Sequence, residues 1–258
     1  MSRTNPNQTG LPNPAKRFIE WKGSAGKFQY YDKENKVHVD LPDNFTFILL
    51  DELNCIKGYN ENLKTGLYSN EVRNLAQQKL FVKYFKGDTI AEGFYKEIKD
   101  KVTSNSVGGK FSKSVYIAFK DEDGKLQIGN IQFMGSGVDG WFEFTAKHKN
   151  DMYAGAVQLI GKRPEKKGAT NYFVPSFGLR ELSAQADAEA GFLQAELSAY
   201  LKDYFERAGH VDVKADDSFV HPPDTLFVPD DVVEEIKKEV KAEQKLEQIG
   251  EDDPDIPF

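Results

Sequence analysis

From Arg17 to about Phe177 the chain is broken into short aromatic or β-branched runs separated by turn signals. That cadence confines it to a β-rich fold, a sandwich or a barrel. The pattern predicts strands at 17–22, 26–31, 36–40, 45–50, 54–58, 79–86, 113–120, 126–133, 141–147, 155–162 and 170–177. Gly23-Ser24-Ala25-Gly26, Asp32-Lys33-Glu34-Asn35 and Asp121-Glu122-Asp123-Gly124 supply hairpin turns between them. One helix is expected to interrupt the strands, from Ile90 to Val102, with Phe94, Ile98 and Val102 four residues apart.

After Ser183, a good N-cap, a long helix is predicted to run to about Ala208, where Gly209 stops it. Its stripe of Ala186, Ala190, Leu193, Leu197, Tyr200 and Tyr204 has to dock on something. Packing on its own β domain is the first expectation, and a homo-oligomer seam is the alternative. A proline-bearing linker, Ser218 to Pro229, leads to a second amphipathic helix capped by Asp230 or Asp231 and ending near Gln248. The expected organisation is therefore a disordered arm at 1–16, an OB-like β-barrel at 17–180 and a packing helix at 181–210. Linker and helix follow at 211–249, and an acidic tail at 250–258.

Composition excludes some functions and sharpens others. Cys55 is the only cysteine, so neither an internal disulfide nor a thiolate zinc cluster can form, which fits a reducing cytoplasm. Met1 to Arg17 lacks the apolar core of a signal peptide, and no run is long enough for a membrane span. His38, His148, His210 and His221 are far apart and in no metal-ligand spacing, so neither metal nor cofactor is expected. Asp51-Glu52 and Asp121-Glu122-Asp123 could recruit a magnesium ion as in a nuclease but read as solvated carboxylates; no carboxylate pair sits in an apolar frame for general acid–base work, and no enzyme activity is expected. Gly135-Ser136-Gly137-Val138-Asp139-Gly140 matches G-x-G-x-x-G. The bulky run Trp141-Phe142-Glu143-Phe144 after it reads as a strand, so the glycines are taken to bend a barrel corner.

The net charge of −7 hides a polarity. Residues 1–180 carry 27 Lys/Arg against 20 Asp/Glu, whereas residues 181–258 carry 7 against 21. A basic body can attract phosphates while an acidic appendage repels or replaces them. Within the body, aromatics interleave with basic residues. In Lys79-Leu80-Phe81-Val82-Lys83-Tyr84-Phe85-Lys86, period two puts Lys79, Phe81, Lys83 and Phe85 on one face and Leu80, Val82 and Tyr84 on the other. Two rings between ammonium groups make a poor core and a good platform for stacked bases beside phosphates. Similar mixtures occur at Trp21-Lys22, at Lys27-Phe28-Gln29-Tyr30-Tyr31 and at Lys110-Phe111-Ser112-Lys113. Lys162, Arg163, Lys166 and Lys167 form a basic hairpin loop leading to Tyr172 and Phe173. Trp21, Phe28, Tyr30, Tyr31, Phe111, Tyr172 and Phe173 join the candidate base platforms.

The chain ends in Gly250-Glu251-Asp252-Asp253-Pro254-Asp255-Ile256-Pro257-Phe258, where prolines and acids exclude helix and ladder strand. An acidic string tipped by an apolar residue and a free carboxylate suits a pocket rimmed by Arg or Lys. This ending resembles the C-terminal tip of bacterial single-stranded DNA-binding proteins, whose tails finish in Asp-Ile-Pro-Phe. The resemblance covers only the tip: Asp252, Asp253, Asp255, Ile256, Pro257 and Phe258. It implies an OB-fold that holds single-stranded DNA without sequence specificity. It also implies a tail that recruits replication, recombination and repair enzymes. The chain departs from that family in its longer body and in two predicted helices where the family has a Gly/Gln/Pro-rich linker, as in a phage or mobile-element version. Tetramerisation is therefore not carried over. A strand-annealing recombination protein, and an adaptor that sequesters tail-binding enzymes without a DNA groove, stay open. A nuclease is a distant third.

Overall fold

The computed structural model describes residues 10–85 and 87–208. The expectations for residues 1–9, Lys86, Gly209, His210, His221, the linker and second helix, and the tail at 250–258 lie outside them. The chain is mainly β. Its strands are β1 (Arg17–Lys22), β2 (Lys27–Asp32), β3 (Val37–Asp40), β4 (Thr46–Asn60), β5 (Thr65–Ser69) and β6 (Leu80–Tyr84). They continue as β7 (Thr89–Gly93), β8 (Gly109–Lys120), β9 (Leu126–Met134), β10 (Ala156–Lys167) and β11 (Thr170–Arg180). The helices are α1 (Tyr95–Val102), α2 (Ser136–His148) and α3 (Ala184–Ala208).

The strands form one mixed sheet in the order β3-β2-β1-β9-β8-β4-β5-β6-β7. The β10–β11 hairpin branches from the first residues of β4. Neighbours are antiparallel except β1 and β9. Among the described residues no ladder joins the β3 and β7 ends, so the sheet stays open where a closed OB-like barrel was expected.

Alternation divides the sheet into two covered faces. On one, Phe28, Phe47, Ile117, Ile131 and Phe133 pack with Tyr95 and Ile98 of α1 and Trp141 and Phe144 of α2. On the other, Ile48, Leu50, Tyr116, Ala118 and Ile128 pack against Ala190, Leu197, Tyr200 and Leu201 of α3. The apolar stripe of α3 thus docks on its own sheet. Ser183 caps that helix, its Oγ accepting from the Ala186 N–H at 3.2 Å. Residues 10–16, expected in a disordered arm, run beside α3 instead. The Leu11 N–H donates to Asp203 at 2.8 Å, and the Lys16 N–H donates to the Ile128 carbonyl at 2.8 Å.

Local chemistry explains the other departures. Strand expectations at 45–50 and 54–58 merge into β4, which bulges between Leu49 and Asp51. Asp51 and Glu52 are buried rather than solvated because partners reach them. Arg73 forms a two-pronged ion pair with Asp51, one bond being 2.6 Å, and the Trp141 indole N–H donates to Glu52. Residues 141–147 lie in α2, not in a strand. Gly135, at φ 52°, ends β9 and turns the chain, and Trp141 then stacks on Phe133 at 5.0 Å. Tertiary packing overrides the strand propensity of the aromatics. The glycine motif therefore does open a helix. However, α2 joins antiparallel strands, and a Cβ on Gly140 would collide with the Pro175 carbonyl, so the glycine serves close packing. β5 and β7 were not anticipated. β7 takes the first residues of the predicted 90–102 helix, and α1 begins only after Phe94, whose N–H donates to Glu97 at 3.0 Å.

A candidate nucleic-acid interface

Beyond the C-terminal end of α3 no described helix packs on the sheet face on that helix's side, and β6 sets its chemistry. Leu80 and Val82 point into the core, which turns Phe81 and Lys83 outward. Phe85 follows in the next turn, with its N–H bonded to the Gly66 carbonyl at 2.8 Å and its ring 48% exposed. Cross-strand register extends the row. Lys83 stands opposite Tyr68, Tyr68 opposite Lys57, and Lys57 opposite Lys110. Opposed residues share a face, so a band Lys110–Lys57–Tyr68–Lys83 crosses β8, β4, β5 and β6. Tyr59, two residues beyond Lys57 and 48% exposed, adds a ring on that side. The Lys83 ammonium sits 5.3 Å from the Tyr68 ring centroid, and Lys79 lies 3.5 Å from Glu92.

Behind this band the sheet is polar and closed. Cys55, Glu71 and Ser112 are buried between it and α3, near Tyr116, Tyr200 and Tyr204. Burial, with the negative Glu71 adding to it, pushes the Cys55 thiol up to about 12, so the thiol stays protonated and inert. Burial also lowers the pKa of Lys57, against the opposing pull of Glu71.

The other candidates divide by strand phase. Trp21, Phe28 and Tyr30 are core residues and offer no face to a base, which corrects their expected role. The Trp21 indole N–H donates to the Phe173 carbonyl at 2.9 Å, and Arg17 covers the Tyr30 ring at 4.9 Å. Lys22, Lys27 and Tyr31 occupy the opposite phase and reach the surface on the same side as Lys110 and Lys83. Lys22 lies 3.4 Å from Glu20 and Lys27 3.1 Å from Asp40. Lys110 is exposed, but Phe111 turns inward against Phe142 at 6.1 Å. Lys113 is buried 4.0 Å from Glu52, so it too is removed from any surface role.

The β10–β11 hairpin forms a separate group. Lys162 donates to the Gly26 carbonyl at 2.9 Å and sits 5.3 Å over Phe173, tying the hairpin to the β1–β2 turn. Arg163 is held by Glu143 and Glu165, which raise its pKa, and the Tyr172 hydroxyl donates to Glu165 at 3.1 Å. Lys166 is exposed and Lys167 half-buried near the hairpin tip. Arg163 and Tyr172 are thus engaged with carboxylates, whereas Lys162 and Phe173 flank the β1–β2 turn.

Sequence reasoning missed Lys57, Tyr59 and Tyr68. Tyr68 lies on the unanticipated β5, and Lys57 and Tyr59 lie at the far end of the long β4. The signal for β5 was the alternation Thr65-Gly66-Leu67-Tyr68, diluted by its glycine. Among the described residues no group of three or more His, Cys, Asp or Glu is placed to hold a metal ion. No described helix is long and apolar enough to cross a membrane. Comparison with protein-family models, curated proteins and solved structures finds no match for this chain.

Proposed function

We propose that this protein binds single-stranded DNA without sequence specificity on this sheet face. The observation that carries the reading is the band in which Phe81, Phe85, Tyr59 and Tyr68 share one surface with Lys57, Lys79, Lys83 and Lys110. Rings stack on any base, each such contact contributing about 1–3 kcal/mol, and the lysines neutralise phosphates. An open sheet face stands in for the groove of an OB barrel. The acidic segment ending at Asp252, Asp253, Asp255, Ile256, Pro257 and Phe258 then recruits replication, recombination and repair enzymes, in the cytoplasm of a bacterial or phage-infected cell. Without DNA, the same acids compete for the basic face, so removing residues 250–258 tightens binding at low salt.

The test is polarisation of a labelled oligo-dT at two salt concentrations, with duplex as competitor. Three neutralised phosphates, at Lys79, Lys83 and Lys110, give a log–log salt slope of about −2 on a single strand. Duplex that competes as well as oligo-dT, or a flat salt response, contradicts the reading. No binding at all, even without the tail, favours the adaptor. Trp21 and Trp141 are 7% and 0% exposed, so the label belongs on the strand rather than on the protein's own fluorescence.

A further inference from the structure

The band on β6 stops neither at β4 nor at β8. On the same face Ser112 stands opposite Met134 of β9, and β9 pairs with β1, whose outward residues on this side are Phe18, Glu20 and Lys22. Lys22 in turn stands opposite Lys27 of β2. Where the β1–β2 turn meets the start of α2, a Cβ on Gly23 would come 2.7 Å from the Ser136 Oγ, and one on Gly135 would meet nothing within 4 Å. Gly23, Gly135 and Ser136 thus leave little side-chain bulk between Lys110 and Lys22 apart from the half-buried Met134, and cationic groups stand at both ends.

Resting on the reading above, we infer that one single strand crosses the sheet transversely. It is anchored by stacking at Phe81 and Phe85 and held at its far end by Lys22 and Lys27. The two anchors differ in kind. The β6 end supplies rings and ammonium groups together. The β1–β2 end supplies ammonium groups that must first leave Glu20 and Asp40. From β6 to β2 are six inter-strand steps. At about 4.8 Å each they span about 29 Å, on the order of eight nucleotides at the stacked rise of about 3.4 Å, fewer for an extended strand. The far end thus contributes only to strands long enough to reach it.

The experiment measures the affinity of the full chain for four-, eight- and twelve-residue oligo-dT at one salt concentration, beside K22E/K27E and F81A/F85A. Lys22, Lys27 and Phe81 lie on the surface side of their strands and Phe85 in the turn after β6, and thermal melting of each variant checks the fold. Wild-type affinity is expected to rise by about tenfold or more between the four- and twelve-residue strands. K22E/K27E should match wild type on the four-residue strand and lose that gain on the twelve-residue strand. F81A/F85A should weaken binding at every length. Equal wild-type affinity for four and twelve residues overturns the path, as does a K22E/K27E variant that binds twelve residues like wild type. Failure of the wild type to bind any length overturns the underlying DNA-binding reading together with the path.

Discussion

The segments Trp21–Tyr31 and Lys79–Phe85 have nearly the same ingredients, aromatic rings interleaved with lysines, yet they have opposite fates. In β1 and β2 the rings of Trp21, Phe28 and Tyr30 point into the core, while Lys22, Lys27 and Tyr31 point out. In β6 the aliphatic residues Leu80 and Val82 take the core positions, so Phe81 and Phe85 stand outside with Lys83. Composition is matched and phase is not. A ring is left at the surface where the inward register is already filled by something else.

The contrast can be broken most sharply from its buried side. Phe28→Ala should cost about 3–5 kcal/mol of stability, whereas Phe81→Ala should cost about 1 kcal/mol or less. Urea midpoints check this, and equal losses would erase the distinction. In binding the order reverses. Phe81→Ala with Phe85→Ala should weaken oligo-dT binding by about 2–4 kcal/mol with little change in melting temperature. A double variant that binds normally would move the site elsewhere.

A smaller effect concerns the hairpin side, where charges are occupied internally. Burial first, then Glu165 and Glu143, pushes Asp139 up to about 6 from 3.8. Its carboxyl is thus protonated more readily in the folded than in the unfolded state. The associated stability is complete below about pH 4 and is lost as pH rises through about 6. Asp139→Asn should therefore be stabilised relative to wild type at pH 7.5 by on the order of 2 kcal/mol, and by little at pH 4. Urea unfolding at both values is the check, and a pH-independent difference would contradict the assignment. The smallest change is Lys83→Ala, which should flatten the salt slope of oligo-dT binding by about 0.7 and leave stability unchanged.

Much of this was legible in sequence because period two is a strong signal where one face is purely aliphatic. The outward set of β6 follows directly from Leu80 and Val82. The same rule, applied to Trp21-Lys22 and Lys27–Tyr31 as blocks rather than residue by residue, hides that neighbours on a strand look opposite ways. Two features could not be seen locally. Asp51 and Glu52 read as a break, because their partners Arg73 and Trp141 come from far along the chain. The aromatics of α2 read as a strand, because only the rings of Phe133 and Phe177 show which side of the helix they bury. The long helix after Ser183 was legible from its cap to Ala208, since cap and stripe are local.

The most direct test of the central claim is photocrosslinking of the full chain to an oligo-dT carrying iodouracil, with the attached residues located by mass spectrometry. The account predicts adducts at Phe81 and Phe85 and at Tyr59 or Tyr68, with Phe28 and Tyr30 untouched. Adducts absent from that face, or confined to Tyr172 and Phe173 on the hairpin, would contradict it.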